Sequence, residues 1–231
     1  MCSSDLELLH PLDAWIGTLA FSGQIFCDFA GYTTCAIGMS LVLGFALPDN
    51  FRYPYAAIGF SDFWRRWHIS LSTWLRDYLY VPLGGNRNGA ARTYVNLMLT
   101  MLLGGLWHGA AWTFVVWGGL HGSYLAAERW LKPRLGHLDV WRTWLGRIAL
   151  AALTYFLVNL TWVFFRAQDF ATAERMIRSM LLIERSGAPV LTHWFLLSTS
   201  VAIAALLIAH WRMRDAMLHD AVSRWPAALV G

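Results

Sequence analysis

Long apolar stretches alternate with shorter polar, arginine-containing stretches along this chain. Ile148–Phe165 has 18 residues and Thr93–Ala127 has 35, and neither contains a formal charge. Ala14–Leu47 is apolar except for Asp28, and Val190–Ala209 forms a last apolar stretch. Because one membrane crossing needs about 20 residues, the pattern predicts an all-α, polytopic integral membrane protein.

Two of these stretches are too long for a single untilted crossing. The glycines spread through Ala14–Leu47 predict either one broken helix or two short ones, since small residues also let membrane helices approach closely. In Thr93–Ala127, the adjacent Gly104 and Gly105 predict a kink or a break. We expect there either one long crossing with a re-entrant piece, or two short helices that meet near His108.

A polar segment rich in arginine precedes the long uncharged stretch. Asp49–Arg92 holds six Arg against three Asp, so the positive-inside rule places it on the cytoplasmic side. Within Phe63–Tyr80, apolar residues recur at three- and four-residue steps, which predicts one amphipathic helix at the membrane interface. We expect Ser61 and Asp62 to cap this helix and residues 82–86 to end it.

Two further polar segments separate the later apolar stretches. Glu128–Arg147 reads as a charged loop, and Arg166–Pro189 as a loop with a short amphipathic helix. Glu128–Arg147 carries five basic and two acidic residues, and its net +3 equals that of Asp49–Arg92. Under simple alternation both cannot be cytoplasmic, and a re-entrant Thr93–Ala127 would resolve the conflict.

Composition narrows the class of protein further. Only 14% of the 231 residues are charged and 57% are hydrophobic, whereas soluble domains carry about 25% charged residues. The net charge of +4 comes from arginines that flank apolar runs, not from a basic stripe of the kind that binds nucleic acid. Three cysteines without a CxxC pair predict neither a disulfide framework nor a metal site, and Cys27 and Cys35 behave as small hydrophobes.

His108 is the strongest candidate for chemistry. It lies in Leu106-Trp107-His108-Gly109, about midway along the uncharged stretch. A neutral histidine can accept a proton near pH 7, which an alcohol needs to lose in order to become a good nucleophile. The alternative is a structural histidine that is hydrogen-bonded to a neighbouring helix.

Several motifs resemble the membrane-bound O-acyltransferase (MBOAT) family, and most closely its alginate O-acetyltransferase branch. They read, in the family's order, QIFCDFAGYTTCAIGMSLVLGF, FWRRWHISLSTWLRDYLYVPLGGNR and GGLWHGAAWTFVVWGGLHG. The resemblance covers most of Trp15–Arg166. Since the family's proteins are about twice as long, we expect residues 1–231 to be the C-terminal half of a single MBOAT domain, with an artificial start at Met1.

The resemblance also implies roles for three histidines. His108 matches the family's WHG histidine and is expected to be the catalytic base. His68 matches a second functional position, expected to orient the thioester, to polarise its carbonyl or to fix the tautomer of His108; packing among tryptophans is its alternative. His121 would lie about 20 Å beyond His108 on a continuous helix, so we expect it to be structural or channel-lining.

Arg65, Arg66 and Arg76 on the predicted amphipathic helix are candidates for binding a donor. They would hold phosphates of coenzyme A or an acidic carrier, or, as an equal alternative, anionic lipid headgroups. Arg76 and Asp77 are helical neighbours that should point apart, so each should need its own partner. We expect Asp28 and Asn86 to be structural or channel-lining. The full set expected to bind donor or substrate is Arg65, Arg66, Trp67, Arg76, Asp77, Tyr80 and Trp107.

The resemblance implies an O-acyltransferase in the bacterial inner membrane with no bound cofactor. It would move an acetyl group from a cytoplasmic thioester, such as acetyl-CoA, to a hydroxyl across the membrane for alginate-type exopolysaccharide O-acetylation. The expected partners are membrane lipid, the donor, and a periplasmic acetyltransferase or the polysaccharide itself. The alternatives are O-acylation of peptidoglycan or teichoic acid, and a non-catalytic transporter or scaffold subunit of a polysaccharide export complex.

Overall fold

A computed structural model describes residues 9–182 and 189–215, and the expected start at Met1 lies outside them. Within these two ranges the secondary structure is helical and contains no β-strand, which confirms the all-α prediction. The helices are α1 (Pro11–Val42), α2 (Phe60–Trp64), α3 (Ile69–Leu75), α4 (Gly89–His108), α5 (Trp112–Leu135), α6 (Trp144–Arg166), α7 (Phe170–Met180) and α8 (His193–Met213). Shorter turns are the 3₁₀ segments Pro54–Ala56 and Asp139–Arg142 and a π-helical turn at Arg76–Tyr80.

Three of these helices are long and apolar enough to cross a membrane: α1, α6 and α8. The predicted crossings at Ile148–Phe165 and Val190–Ala209 correspond to α6 and α8, and the amphipathic helix predicted after Arg166 is α7. The charged loop predicted at Glu128–Arg147 is wrong at both ends, because α5 continues to Leu135 and α6 begins at Trp144.

The first apolar stretch forms one continuous helix, so the prediction of a broken helix or of two short ones is wrong. α1 has 32 residues and is therefore about 48 Å long. Its glycines do not break it, because a helical glycine keeps its backbone hydrogen bonds and costs only about 1 kcal/mol relative to alanine. Gly23 instead serves packing: a Cβ there would lie 2.9 Å from Ile203 of α8.

The long uncharged stretch forms a tight hairpin of two helices. α4 runs unbroken through Gly104 and Gly105, so the kink predicted at this pair is wrong, and the chain turns after His108. A Cβ on Gly105 would lie 2.3 Å from the carbonyl oxygen of Phe114, and a Cβ on Gly118 would lie 2.3 Å from that of Met101. These glycines let the two backbones touch, so they explain packing rather than a break. The alternative of two helices that meet near His108 is confirmed, although with 20 and 24 residues they are not short.

The hairpin brings the two basic segments to the same end of the protein. Because α4 and α5 are antiparallel, the chain returns to where α4 began. The Glu128 carboxylate near the end of α5 accepts hydrogen bonds from the backbone N–H groups of Phe60 and Ser61. Asp49–Arg92 and Glu128–Arg147 therefore lie together, which is the arrangement that a re-entrant central segment requires.

The predicted amphipathic helix at Phe63–Tyr80 is broken into α2, α3 and the π turn. At the break, Arg52 N–H donates to Arg66 C=O and Ile69 N–H donates to Asn50 C=O, both at 2.9 Å. These bonds replace helical ones, and His68 adopts a left-handed conformation with φ of 45°. The prediction of a single helix is wrong because residues 50–52 form hydrogen bonds with backbone groups that a continuous helix would use itself.

The predicted cap at Ser61 and Asp62 is also wrong. Gly59 is the N-cap of α2, and the free N–H groups are taken by Glu128 as described above. Asp62 instead accepts hydrogen bonds from the Ile58 N–H at 2.9 Å and from the guanidinium of Arg214 at 2.7 Å. Asp62 thus ties the start of α2 to the end of α8.

Aromatic rings fill the centre, where α2, α5 and α6 meet. Trp67 stacks on Phe63 at 5.8 Å and lies 5.1 Å from Trp162, measured between ring centroids. Trp117 is 6.3 Å from Trp162 and links this core to α5. All four side chains are at most 4% exposed. This rigid core carries the candidate site on one flank.

Candidate active site

His108 is the last residue of α4 and projects into an aromatic pocket. Its ring lies 5.1 Å from Trp107, 5.2 Å from Trp117 and 5.1 Å from Phe165. The turn after it requires glycine, because a Cβ on Gly109 would lie 2.7 Å from the Phe114 ring. His108 is half-buried, so the ring is fixed by neighbours on three helices and still accessible.

His68 lies beside the same aromatic residues. Its ring is 4.7 Å from Phe29 of α1 and 6.3 Å from Trp107. Trp107 thus contacts both histidines, and the fold brings together two rings that are distant in sequence. Burial, and to a smaller extent the neighbouring His108, lowers the pKa of His68 from 6.5 to about 4. His68 is therefore neutral at pH 7.

Asn50 determines which nitrogen of His68 carries the proton. The backbone N–H of Ser70, which can only donate, lies 3.1 Å from Asn50 Oδ1, and the Ser70 hydroxyl lies 3.0 Å from the same oxygen. His68 Nδ1 lies 3.3 Å from that oxygen and 3.3 Å from the Ser70 hydroxyl. Because the amide oxygen can only accept and already receives the Ser70 hydroxyl, these contacts favour the tautomer with the proton on Nδ1. Nε2 then bears the lone pair and is free to accept a hydrogen bond.

An open cavity of about 540 Å³ is separated from the two histidines by aromatic rings of its own wall. Two of its lining rings, Phe29 and Phe165, are the rings that contact His68 and His108. Asp28 lines this cavity and is exposed, and it accepts no hydrogen bond from the residues that the structure describes. The lining residues are Phe21, Gln24, Ile25, Asp28, Phe29, Tyr32, Phe165 and Arg166.

The arginines predicted to bind a donor differ in their surroundings. Arg66 donates to Asp62 Oδ1 at 2.8 Å and to the carbonyl oxygens of Arg214 and Arg52 at 2.8 and 3.2 Å. Its guanidinium therefore joins the α2–α3 region to the end of α8. Arg65, by contrast, is exposed and stays a candidate for contact with a donor or a lipid headgroup.

Arg76 and Asp77 pair with each other, so the expectation of separate partners is wrong. Arg76 Nε is 2.7 Å from Asp77 Oδ1, and Nη2 is 3.1 Å from Oδ2. The hydrogen bond from Arg76 lowers the pKa of Asp77 below its usual value. The long arginine side chain folds back onto the next residue because both groups are exposed on the π turn. A donor phosphate at Arg76 would compete with Asp77.

The other residues predicted to bind substrate are split between core and surface. Trp67 is only 4% exposed and belongs to the aromatic core, whereas Trp107 is 62% exposed between the two histidines. The Tyr80 hydroxyl donates to Oδ1 of the exposed Asn86. The structure thus gives Trp107 direct access to the site and gives Trp67 a packing role.

His121 is fully buried behind Trp117. The Thr161 hydroxyl donates to the Val158 carbonyl at 2.7 Å, so it accepts from His121 Nε2 at 3.0 Å. The Trp117 ring lies 4.7 Å from His121 and 5.2 Å from His108. The assumption of a continuous helix between the two histidines is wrong, and the burial fits a structural role rather than a channel wall.

Sequence reasoning missed Asn50, Gln24 and Tyr32. Asn50 acts on residues about 20 positions away, so no local pattern reveals it. Gln24 and Tyr32 lie four residues before and after Asp28, and this helical spacing was the available signal. Over residues 9–182 and 189–215, no group of three His, Cys, Asp or Glu side chains forms a candidate metal site.

Comparison with known proteins identifies the family of this chain. A sequence model of the membrane-bound O-acyltransferase family matches residues 1–138. The chain belongs to the MBOAT family. With α1, α6 and α8 long and apolar enough to span a bilayer, it is a membrane protein. The MBOAT match contains His68, His108 and Asp28, whereas Phe165 and Arg166, which complete the cavity, lie beyond it.

Three curated MBOAT relatives carry different names. The "Probable alginate O-acetylase" of Azotobacter vinelandii is 47% identical over 86% of this chain and 38% of its own length. The "Peptidoglycan O-acetyltransferase" of Helicobacter pylori is 44% identical over 75% of this chain and 32% of its own length. The "Teichoic acid D-alanyltransferase" of Bacillus subtilis is 35% identical over 48% of this chain and 31% of its own length. The chain therefore spans about a third of the length of these relatives.

Proposed function

We propose that the full-length protein containing this chain is a membrane O-acyltransferase that moves an acetyl group from a thioester donor to a hydroxyl of a polysaccharide. The observation that carries this proposal is the pair of histidines at Trp107. His68 and His108 contact the same indole, and each also contacts a ring that lines an open cavity of about 540 Å³. Membership in the MBOAT family supports the reaction class.

In this mechanism His108 is the general base. A ring nitrogen takes the proton of the acceptor hydroxyl while the oxygen attacks the thioester carbonyl carbon. When the tetrahedral intermediate collapses, the carbon–sulfur bond breaks and the proton on His108 passes to the leaving thiolate. The products are an acetate ester and a free thiol. Fixing the ring between Trp117 and Phe165 supports this role, because a base must be held in position.

His68 orients the substrates. With Nδ1–H donated to Asn50, its Nε2 can accept a hydrogen bond, for example from an amide N–H of the donor or from the acceptor hydroxyl. The same tautomer disfavours polarisation of the thioester carbonyl, because an unprotonated nitrogen cannot donate to that oxygen. Of the roles expected from the sequence, orientation therefore fits the contacts best.

The donor side and the acceptor complete the proposal. The two basic segments that lie together favour the cytoplasmic side for that end, and hence a cytoplasmic thioester such as acetyl-CoA. The acceptor would be an alginate-type exopolysaccharide beyond the bacterial inner membrane, reached directly or through a periplasmic acetyltransferase. The 47% identity to an alginate O-acetylase supports this choice. Peptidoglycan is the second candidate, since that relative is 44% identical.

The test uses purified full-length protein in proteoliposomes with an acetyl thioester. We expect thioester consumption by the wild type and its loss in His108→Ala. His137→Ala is the matched control, because His137 is exposed in the α5–α6 connection and should leave consumption unchanged. A transporter or scaffold subunit would consume no thioester with or without His108, and that result would overturn the proposal.

A further inference from the structure

One face of α1 presents polar side chains to the cavity beside the histidines. Gln24, Asp28 and Tyr32, which we call the polar row, follow one another at four-residue steps, and all three line the cavity together with Arg166. We propose that the polar row binds the saccharide acceptor and places its hydroxyl group at the histidine pair. This inference rests on the proposed acyl-transfer function and adds the acceptor subsite to it.

The location of Asp28 is the first argument. It is the sole formally charged residue between Asp13 and Asp49, on a helix long and apolar enough to span a membrane. A charged side chain at such a position is costly and should face water, a partner or a substrate. Since Asp28 is exposed to the cavity and accepts no hydrogen bond from the described residues, a ligand with hydroxyl donors would satisfy it.

The chemistry of the cavity favours a saccharide over the phosphates of a coenzyme. Gln24 and Tyr32 can both donate and accept hydrogen bonds, and Asp28 accepts them, as sugar hydroxyls require. The cavity pairs one carboxylate with one guanidinium, whereas phosphate recognition calls for an excess of basic groups. Its volume of about 540 Å³ lies in the range of small-ligand sites.

The walls of the cavity connect the polar row to the reacting groups. Phe29 follows Asp28 directly and its ring is 4.7 Å from His68, while Phe165 precedes Arg166 and its ring is 5.1 Å from His108. A sugar held by the polar row therefore lies next to the rings that border both histidines. The acceptor would enter from the α1 side of the site.

The experiment separates acceptor binding from donor chemistry. Full-length wild type, Asp28→Asn and Tyr32→Phe are reconstituted in proteoliposomes, and transfer from an acetyl thioester to unacetylated alginate oligosaccharides is measured against oligosaccharide concentration. Thioester hydrolysis without acceptor is measured in parallel. We expect each variant to raise the KM for the oligosaccharide by about tenfold, as loss of one hydrogen bond to a substrate does, and to leave hydrolysis unchanged.

Thr34→Val is the matched control. Thr34 is exposed, lies outside the cavity lining and loses a hydroxyl in this variant, as Tyr32 does in Tyr32→Phe. Its oligosaccharide curve should equal that of the wild type. An equal shift in Thr34→Val would overturn the inference, because the effect would then not be specific to the polar row.

Other outcomes are decisive as well. Unchanged curves for Asp28→Asn and Tyr32→Phe, or a parallel loss of transfer and hydrolysis, would overturn the acceptor subsite. So would absence of saturable transfer to the oligosaccharide by the wild type. If Asp28→Asn does not accumulate, Tyr32→Phe decides alone, because it keeps the ring. Intact hydrolysis in His108→Ala would instead refute the proposed function, so the two failures are distinguishable.

Discussion

At the scale of residues, a single amide oxygen sets the chemistry of His68. Asn50 Oδ1 lies 3.1 Å from the Ser70 N–H, which orients the amide, and 3.3 Å from His68 Nδ1. His68 itself sits at a φ of 45°, a conformation that costs a non-glycine residue free energy and that persists only where its surroundings enforce it. The hydrogen bond from the Ile69 N–H to the Asn50 carbonyl holds the backbone in this conformation. The His68 ring then lies 6.3 Å from Trp107.

The first prediction concerns Asn50→Asp. A carboxylate opposite Nδ1 favours the imidazolium, so it should raise the pKa of His68 from its value of about 4. As the pH falls, His68 would then become protonated at Nε2 earlier, and a protonated Nε2 cannot accept a hydrogen bond. We therefore expect the acid limb of the transfer rate to move to higher pH in this variant.

The measurement is the pH dependence of acetyl transfer by full-length wild type, Asn50→Asp and the control Ser70→Ala. Ser70→Ala removes a hydroxyl that donates to Asn50 and lies 3.3 Å from His68 Nδ1, but it adds no charge, so its acid limb should move much less than that of Asn50→Asp. A profile for Asn50→Asp that coincides with the wild-type profile would contradict the assigned tautomer.

How far sequence predicts single residues depends on the distance over which each acts. His108 and His68 were named from motifs, and the structure brings them together. The sequence did not reveal the role of Asn50, because its partners are residues 68 and 70 and no local periodicity links them to position 50. The prediction of separate partners for Arg76 and Asp77 is wrong. Adjacent helical residues point apart at Cβ, but an exposed arginine is long enough to fold back onto its neighbour.

At the scale of elements, the hairpin of α4 and α5 positions His108. The second prediction is that Gly118→Ala destabilises the α4–α5 hairpin, because the new Cβ would lie 2.3 Å from the Met101 carbonyl oxygen. Overpacking of this kind costs about 1–3 kcal/mol. Gly119→Ala is the matched control: its Cβ would lie 3.6 Å from Leu102 Cδ2, an ordinary contact.

Thermal unfolding of the detergent-purified full-length protein checks this prediction. We expect a lower Tm for Gly118→Ala and an unchanged Tm for Gly119→Ala. Acetyl transfer should fall with the first variant alone, because the end of α4 carries the base. Equal Tm values for the two variants would show that the helices are not in backbone contact at Gly118.

Apolar length predicted elements well, and local periodicity predicted them less well. α6 and α8 follow from uncharged runs, because a long apolar run can satisfy its backbone only as a helix in lipid. The helix predicted at Phe63–Tyr80 failed because Asn50–Arg52 takes up the hydrogen bonds of the backbone around Arg66–Ile69. Glycine content wrongly predicted breaks in two places: α1 is unbroken, and Gly105 of α4 serves close packing.

At the scale of the whole molecule, the hairpin decides the topology. The third prediction is that Asn88 and His137, both exposed, lie on the cytoplasmic side, since the basic segments meet at one end. Ala171 in α7 should lie on the opposite side, because α6 crosses the membrane before it. A central segment that crossed the membrane only once would separate Asn88 from His137.

Cysteine labelling in intact cells measures this sidedness. Cys27 and Cys35 are free and exposed, so the three native cysteines are first replaced by serine. Single cysteines are then introduced as Asn88→Cys, His137→Cys and Ala171→Cys, and only the last should react with a membrane-impermeant maleimide. Labelling of Asn88→Cys from outside would overturn both the topology and the cytoplasmic donor.

The acetyl content of the polysaccharide made by cells shows whether His108 carries the acyl-transfer reaction. The claim is that His108 acts as the base, and loss of a general base lowers the rate by about 10²–10⁴. Cells that produce full-length His108→Ala at the wild-type level in the membrane should therefore make polymer almost without acetyl groups, while His137→Ala cells make normally acetylated polymer. If His108→Ala cells retain more than half of the wild-type acetylation, His108 is not the base of this reaction.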